Sequence, residues 1–180
     1  VKHYRQMAFM GFIAVIKNLR TVLRNMSECK KDIAAFKPDA VILVDYPGFN
    51  LKIAKYVKTK LGIPTHYYIA PKIWAWKEYR IKSIRKYVDY MYSILPFEVD
   101  YFNGLNYKVD YVGNPTVDEL AIRPNMDETF EEFTSSNGLS SKPIIALVAG
   151  SRVGEIRGSL PRMIEAVEGM DEYQFVVAGA

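Results

Sequence analysis

The chain has a single cysteine, Cys29. That excludes a disulfide within the chain and points to a reducing, intracellular compartment. Cys29 sits in a polar helical stretch and is given no role. No apolar run reaches about 18 residues, which excludes a membrane-spanning helix. No signal-peptide pattern is visible. Neither a Walker loop nor GxGxxG spacing is present, and no internal repeat or low-complexity tract stands out. No large excess of one charge exists either: the net charge is +4. Basic residues gather at 17–31 and 72–86. These clusters read as solvated helix faces or as attraction to an anionic partner. They lack a nucleic-acid reading motif, so no nucleic-acid partner is expected. The chain begins with Val1 and ends just after an apparent strand. The expectation is therefore an internal segment of a longer protein.

What remains is an ordinary globular composition, 49% hydrophobic and 24% charged over 180 residues. That length suffices for a sizeable core. The most informative stretch is Val41-Ile-Leu-Val-Asp45-Tyr-Pro-Gly-Phe-Asn50. Four apolar residues run into one carboxylate, then a Pro-Gly turn, then a helical pattern. This predicts a buried parallel strand with Asp45 at its carboxyl edge. Ligands of open α/β sheets bind at that edge, so Asp45 is a candidate general base. It is equally a candidate for capping the next helix or pairing with a cation.

Around it, residues 7–36 read as a long helix or a broken pair, apolar on nearly every face at its start. Lys37-Pro38-Asp39 stops it. Strands are predicted at 40–45, 65–70, 88–94 and 109–112, with helices at 50–61, 76–86 and 96–103 between them. That alternation implies βαβ units and a parallel sheet. Residues 116–137 are polar and acidic, and Ser135, Ser136, Ser140 and Ser141 read as loop. A fresh strand at 144–148 leads to a helix and a further strand at 173–177, so a second α/β unit starts near Pro143.

Gly150-Ser-Arg152 lies between a strand and a helix. Gly150 permits a tight turn, Ser151 suits a helix cap and a phosphate contact, and Arg152 offers a planar donor fork for a diphosphate. An ordinary strand–helix turn reads the same way. Glu155 suits a ligand hydroxyl or support of the first helical turn. Asn50 reads as an N-cap rather than a ligand contact. Trp74 and Trp76 suit a sugar or lipid pocket, or a cover for the sheet edge. His66 reads as a satisfied core histidine. Met10-Gly-Phe-Ile-Ala-Val-Ile16 suits either plain core or an interfacial membrane contact.

Together these residues resemble the lipid-A-disaccharide synthase family. The resemblance rests on Met10-Gly-Phe-Ile-Ala-Val-Ile16, Lys37-Pro-Asp39, Val44-Asp-Tyr-Pro-Gly-Phe-Asn50 and His66-Tyr-Tyr-Ile-Ala-Pro-Lys-Ile-Trp-Ala-Trp76. It continues through Leu95-Pro-Phe-Glu98, Tyr111-Val-Gly-Asn-Pro115 and Gly150-Ser-Arg-Val-Gly-Glu155. It implies an inverting glycosyltransferase of the two-Rossmann-domain GT-B type. Residues 1–115 would be most of the acceptor and membrane-side domain, 116–142 a linker, and 143–180 the start of the nucleotide-sugar domain. The implied reaction joins UDP-2,3-diacylglucosamine to 2,3-diacylglucosamine 1-phosphate, giving a β-1,6 disaccharide and UDP. No metal and no cofactor are implied. The implied location is cytoplasmic, peripheral on the inner face of the inner membrane.

By position, the resemblance makes Asp45 the base. It gives Gly150, Ser151, Arg152 and Glu155 to the diphosphate, and Asn50, Trp74, Trp76 and Asn114 to the acceptor pocket. It gives Ile13, Val15, Ile16, Leu19, Val22 and Leu23 to the membrane. Two departures stand out. Gly48 replaces a second aspartate of many members, and Asn114 replaces a histidine of some. About half of a full enzyme is covered, so this chain alone is expected to be inactive. Two other readings remain open: a UDP-sugar 2-epimerase-like enzyme of the same fold, and a non-catalytic nucleotide- or membrane-binding module.

Overall fold

In the computed structural model, which describes residues 19–179, the first element is helix α1, Leu19–Phe36. It buries Asn25 and Met26, and Cys29 and Ile33 pack on the same core. Lys37 ends it in the left-handed region, its amide donating to the Ile33 carbonyl at 3.0 Å. Pro38 cannot continue a helix. Strand β1, Val41–Val44, follows, then helix α2, Pro47–Tyr56, with a proline in its first turn. A π-helical turn, Val57–Leu61, prolongs α2. It stops at Gly62, whose φ of 68° favours glycine.

The same unit repeats. Strand β2 is Thr65–Tyr68, and a 3₁₀ turn, Glu78–Arg80, leads into helix α3, Ile81–Tyr87. Strand β3 is Tyr90–Ser93, helix α4 is Phe97–Gly104, and strand β4 is Asp110–Tyr111. Helix α5, Pro115–Ala121, closes the first of two compact units, Val1–Ile122. All four strands are parallel, in the order β1-β2-β3-β4. Val41 pairs with Thr65 and His66 with Tyr90.

That order has a consequence for burial. Right-handed crossovers between consecutive parallel neighbours carry α2, α3 and α4 to one face of the sheet. The core lies there: Val41, Leu43, Tyr67 and Met91 meet Met26, Phe49, Ile53, Ala54, Ile81, Ile84 and Phe102. The other face is open among the described residues, with Ile42 69% and Val44 53% exposed. The sequence predicts a strand buried on both sides, whereas β1 alternates buried and exposed.

The second unit, Arg123–Ala180, holds helix α6, Phe130–Ser136, strand β5, Ile144–Leu147, helix α7, Val153–Ala166, and strand β6, Gln174–Val177. β5 and β6 are parallel. Thr129 and Glu132 form a capping box that starts α6. The residues expected as linker thus include helices α5 and α6, and Ser135 and Ser136 end a helix rather than forming loop. The Gln174 side chain bonds Ser140 and the Lys142 carbonyl, tying the lead-in of β5 to β6.

Candidate active site at the carboxyl edge of the sheet

Three strand ends of the first unit converge on one edge. After β1 the chain makes two consecutive left-handed residues, Asp45 (φ 44°) and Tyr46 (φ 46°), and after β2 a third, Ile69 (φ 65°). None is glycine. Each such residue costs about 1 kcal/mol or more, so local contacts must hold it. They are visible at the Asp45 carbonyl. It accepts from the Tyr67 hydroxyl at 2.6 Å and from the Asn50 side-chain amide at 2.7 Å. The same amide reaches the Val44 carbonyl at 2.9 Å. The Asp45 amide donates to Tyr68 at 3.0 Å, extending the ladder by one step. The backbone is therefore clamped while the exposed carboxylate makes no hydrogen bond among the described residues.

This corrects two expectations. Asn50 is not an N-cap: α2 starts at Pro47 after Tyr46, and Asn50 lies in its first turn, gripping the strand end. Asp45 does not cap α2 either, since no side-chain cap bond is made there. His66 is half-buried on the open face, its Nδ1 2.8 Å from the Tyr92 hydroxyl and its ring stacked on Tyr90.

The Trp74 indole N–H donates to Glu98 Oε1 at 2.9 Å, and Phe97 packs edge-on to its ring, 5.1 Å between centroids. Glu98 is 1% exposed, and its other oxygen bonds the Ser93 hydroxyl. A carboxylate this deeply buried must be partnered, and its partners fix the loop after β2. Trp76 is 61% exposed. It opens no helix: residues 74–77 are irregular, and the basic helix expected at 76–86 is the 3₁₀ turn plus α3. Asn114 caps α5, accepting from the Thr116 amide at 3.0 Å. Buried Tyr67 is a participant that pattern reading misses, because a tyrosine inside a strand looks like core. Burial pushes its phenol up, the Asp45 carboxylate adds to that, and the Arg80 guanidinium pulls the other way.

The second unit has its own strand end. Gly150 has φ 100°, and a Cβ there would stand 2.8 Å from Glu155 Oε2. Glycine is required twice over, by conformation and by space. Arg152, not Ser151, precedes α7, and no side chain caps it, which corrects the expected Ser151 cap. Arg152 Nη1 instead donates to Glu155 Oε1 at 2.5 Å. That bond is the main reason the Glu155 carboxyl lies below its ordinary range. Glu155 thus supports the first turn of α7 and holds the Arg152 fork.

Of the expected membrane residues, Ile13, Val15 and Ile16 lie outside the described residues. Leu19 opens α1, Val22 is half-buried, and Leu23 is 52% exposed. Among the described residues no helix is long and apolar enough to cross a membrane, and no cluster of three or more His, Cys, Asp or Glu could hold a metal.

The fold is Rossmann-like and of the GT-B type. A UDP-GlcNAc 2-epimerase from Neisseria meningitidis, solved bound to UDP-GlcNAc, superposes with a TM-score of 0.56. The match covers 96% of this chain and 49% of that one at 15% identity, a likeness of fold alone. Within that class, residues 1–177 match the lipid-A-disaccharide synthetase family, and the chain belongs to it. It is 41% identical to the lipid-A-disaccharide synthase of Myxococcus xanthus over 91% of its length, and 40% identical to that of Syntrophus aciditrophicus over 92%. It spans 42% of the length of each of these relatives.

Proposed function

We propose that the full-length protein carrying this chain joins UDP-2,3-diacylglucosamine to 2,3-diacylglucosamine 1-phosphate, releasing UDP. The observation that carries this reading is Asp45. It is a carboxylate without a hydrogen-bond partner among the described residues, at the carboxyl edge of a parallel sheet, on a backbone held left-handed. In this mechanism Asp45 takes the proton of the acceptor 6-hydroxyl. The oxygen forms its bond to the donor's C1 as the bond from C1 to the UDP oxygen breaks, and the anomeric centre inverts. Arg152, oriented by Glu155, with the Gly150 and Ser151 backbone, stabilises the charge growing on the departing diphosphate. Asn50 acts by positioning Asp45, Trp74 and Trp76 wall the acceptor side, and Asn114 shapes the start of α5.

The division of labour follows: residues 1–115 serve the acceptor, 143–180 begin the nucleotide-sugar domain, and 116–142 join them. The partners are the two lipid-linked sugars and the inner-membrane surface, with exposed Leu23 among the residues that touch lipid. The cytoplasmic face is where such a reaction has UDP-sugar available.

The test is UDP release and disaccharide formation by the full-length protein, with and without Asp45→Asn. Loss of roughly 10²- to 10⁴-fold in kcat with donor binding retained is the expected result. An unchanged rate in the variant removes Asp45 from the chemistry. No disaccharide from the folded parent removes the reaction.

A further inference from the structure

Lys77 and Arg80, gathered over the Trp76 ring, carry two charges that the mechanism above does not use. The Lys77 ammonium lies 3.9 Å from the centre of the Trp76 ring and the Arg80 guanidinium carbon 5.7 Å from it. Lys77 is held there by a left-handed backbone (φ 60°), with its carbonyl accepting from the Arg80 amide at 3.0 Å. Two cations gathered over one ring repel each other. The negative ring face offsets only part of that cost. Among the described residues neither cation meets a carboxylate. The acid between them in sequence, Glu78, faces elsewhere and accepts the Tyr101 hydroxyl at 2.8 Å. The cluster therefore lacks an anion and is exposed enough to receive one.

Its place in the fold narrows which anion. The Tyr67 hydroxyl donates to the Asp45 carbonyl, and the same phenol feels both the Asp45 and the Arg80 charge. Asp45 follows β1 and the cation cluster follows β2, its parallel neighbour, so both leave the same carboxyl edge of the sheet. A sugar that offers a hydroxyl to Asp45 and carries a phosphomonoester at the opposite end of its ring has this polarity. Resting on the function proposed above, we propose that Arg80 and Lys77, steered by Trp76, bind the 1-phosphate of the acceptor sugar. Arg80 supplies a fork to two phosphate oxygens and Lys77 a point charge.

The test uses the full-length protein in detergent with saturating UDP-diacylglucosamine. The varied acceptor is diacylglucosamine 1-phosphate or its dephosphorylated form. Arg80→Ala and the double variant with Lys77→Ala should raise the KM for the phosphorylated acceptor about 10- to 100-fold. The KM for donor and for the dephosphorylated acceptor should stay put, and Arg80→Lys should recover part of the loss. An equal rise for both acceptors overturns the proposal, because it marks a loop-shaping role. So does retained discrimination with lost binding to phosphatidylglycerol vesicles, which marks a membrane-headgroup role. If the parent makes no disaccharide, the reaction has failed rather than the subsite. Equilibrium binding of diacylglucosamine 1-phosphate then decides: weaker binding by Arg80→Ala supports the subsite and equal binding refutes it.

Discussion

The first strand of each unit ends in a left-handed turn that leads into a helix, but the two turns are built from different residues. After β5 the turn residue is Gly150, the cheapest choice for φ 100°. After β1 the chain places Asp45 and Tyr46 at φ 44° and 46°, where a side chain is penalised. The glycine turn brings a backbone close to Glu155, and the strained turn projects a carboxylate. Strain is tolerated where the side chain itself is wanted, and two hydrogen bonds to one carbonyl offset it. At Gly150 the absence of a side chain is the requirement, and nothing else needs to hold the turn.

Three sets of substitutions probe that contrast and a pH condition tests the sheet beside it, in falling order of effect. Gly150→Ala meets both positive φ and a 2.8 Å clash with Glu155. It should destabilise the second unit by about 2–3 kcal/mol, read by hydrogen exchange across β5 and α7. A cost near zero would mean the turn is soft and the comparison misplaced. Tyr67→Phe removes one of the two clamps on the Asp45 carbonyl and should cost about 1 kcal/mol in chemical denaturation. It should also lower kcat more than it raises either KM, since it loosens the base without touching substrate. Asp45→Gly should be more stable than Asp45→Ala by up to about 1 kcal/mol, because only glycine relieves the backbone, while both lose activity. Equal stability of the pair would show that the turn is not strained.

The last concerns Asp89, which bonds Thr65 at the amino ends of β2 and β3, the opposite edge of the sheet from the Asp45 turn. Burial pushes its carboxyl up. The Lys58 ammonium at 2.5 Å and the Thr65 amide and hydroxyl more than reverse this, leaving it below the ordinary aspartate range. A depressed carboxyl contributes stability that is present above its unfolded value. That contribution is lost as pH falls through its folded one. The first unit should therefore weaken below about pH 4, less steeply in Asp89→Asn, by circular dichroism against pH.

The βαβ rhythm was legible because periodicity and breakers are local: Lys37-Pro38, Gly62 and the apolar runs each announce an element. Strand ends were read one or two residues long, since Asp45 and Ile69 turn out of the extended conformation by dihedral rather than by composition. Asn50 was misread for the same reason. A polar residue before an apolar run looks like a cap, and only the left-handed Tyr46 moves the start of α2 to Pro47. Glu98 was visible in its Pro-Phe-Glu block, but its burial depends on Trp74, 24 residues away. Long-range pairing of that kind has no local signal. The open sheet face was equally hidden, because it follows from strand order.

That strand order also makes position in space run parallel to time of synthesis. Among the described residues β1 pairs only with β2, β2 next with β3, and β3 with β4. As the chain leaves the ribosome, none of these four strands therefore waits for another of the four many elements away. Each new strand meets an edge already laid down, and each crossover is local. A sheet ordered this way can grow one hairpin-free step at a time, so its assembly tracks translation rather than awaiting its end.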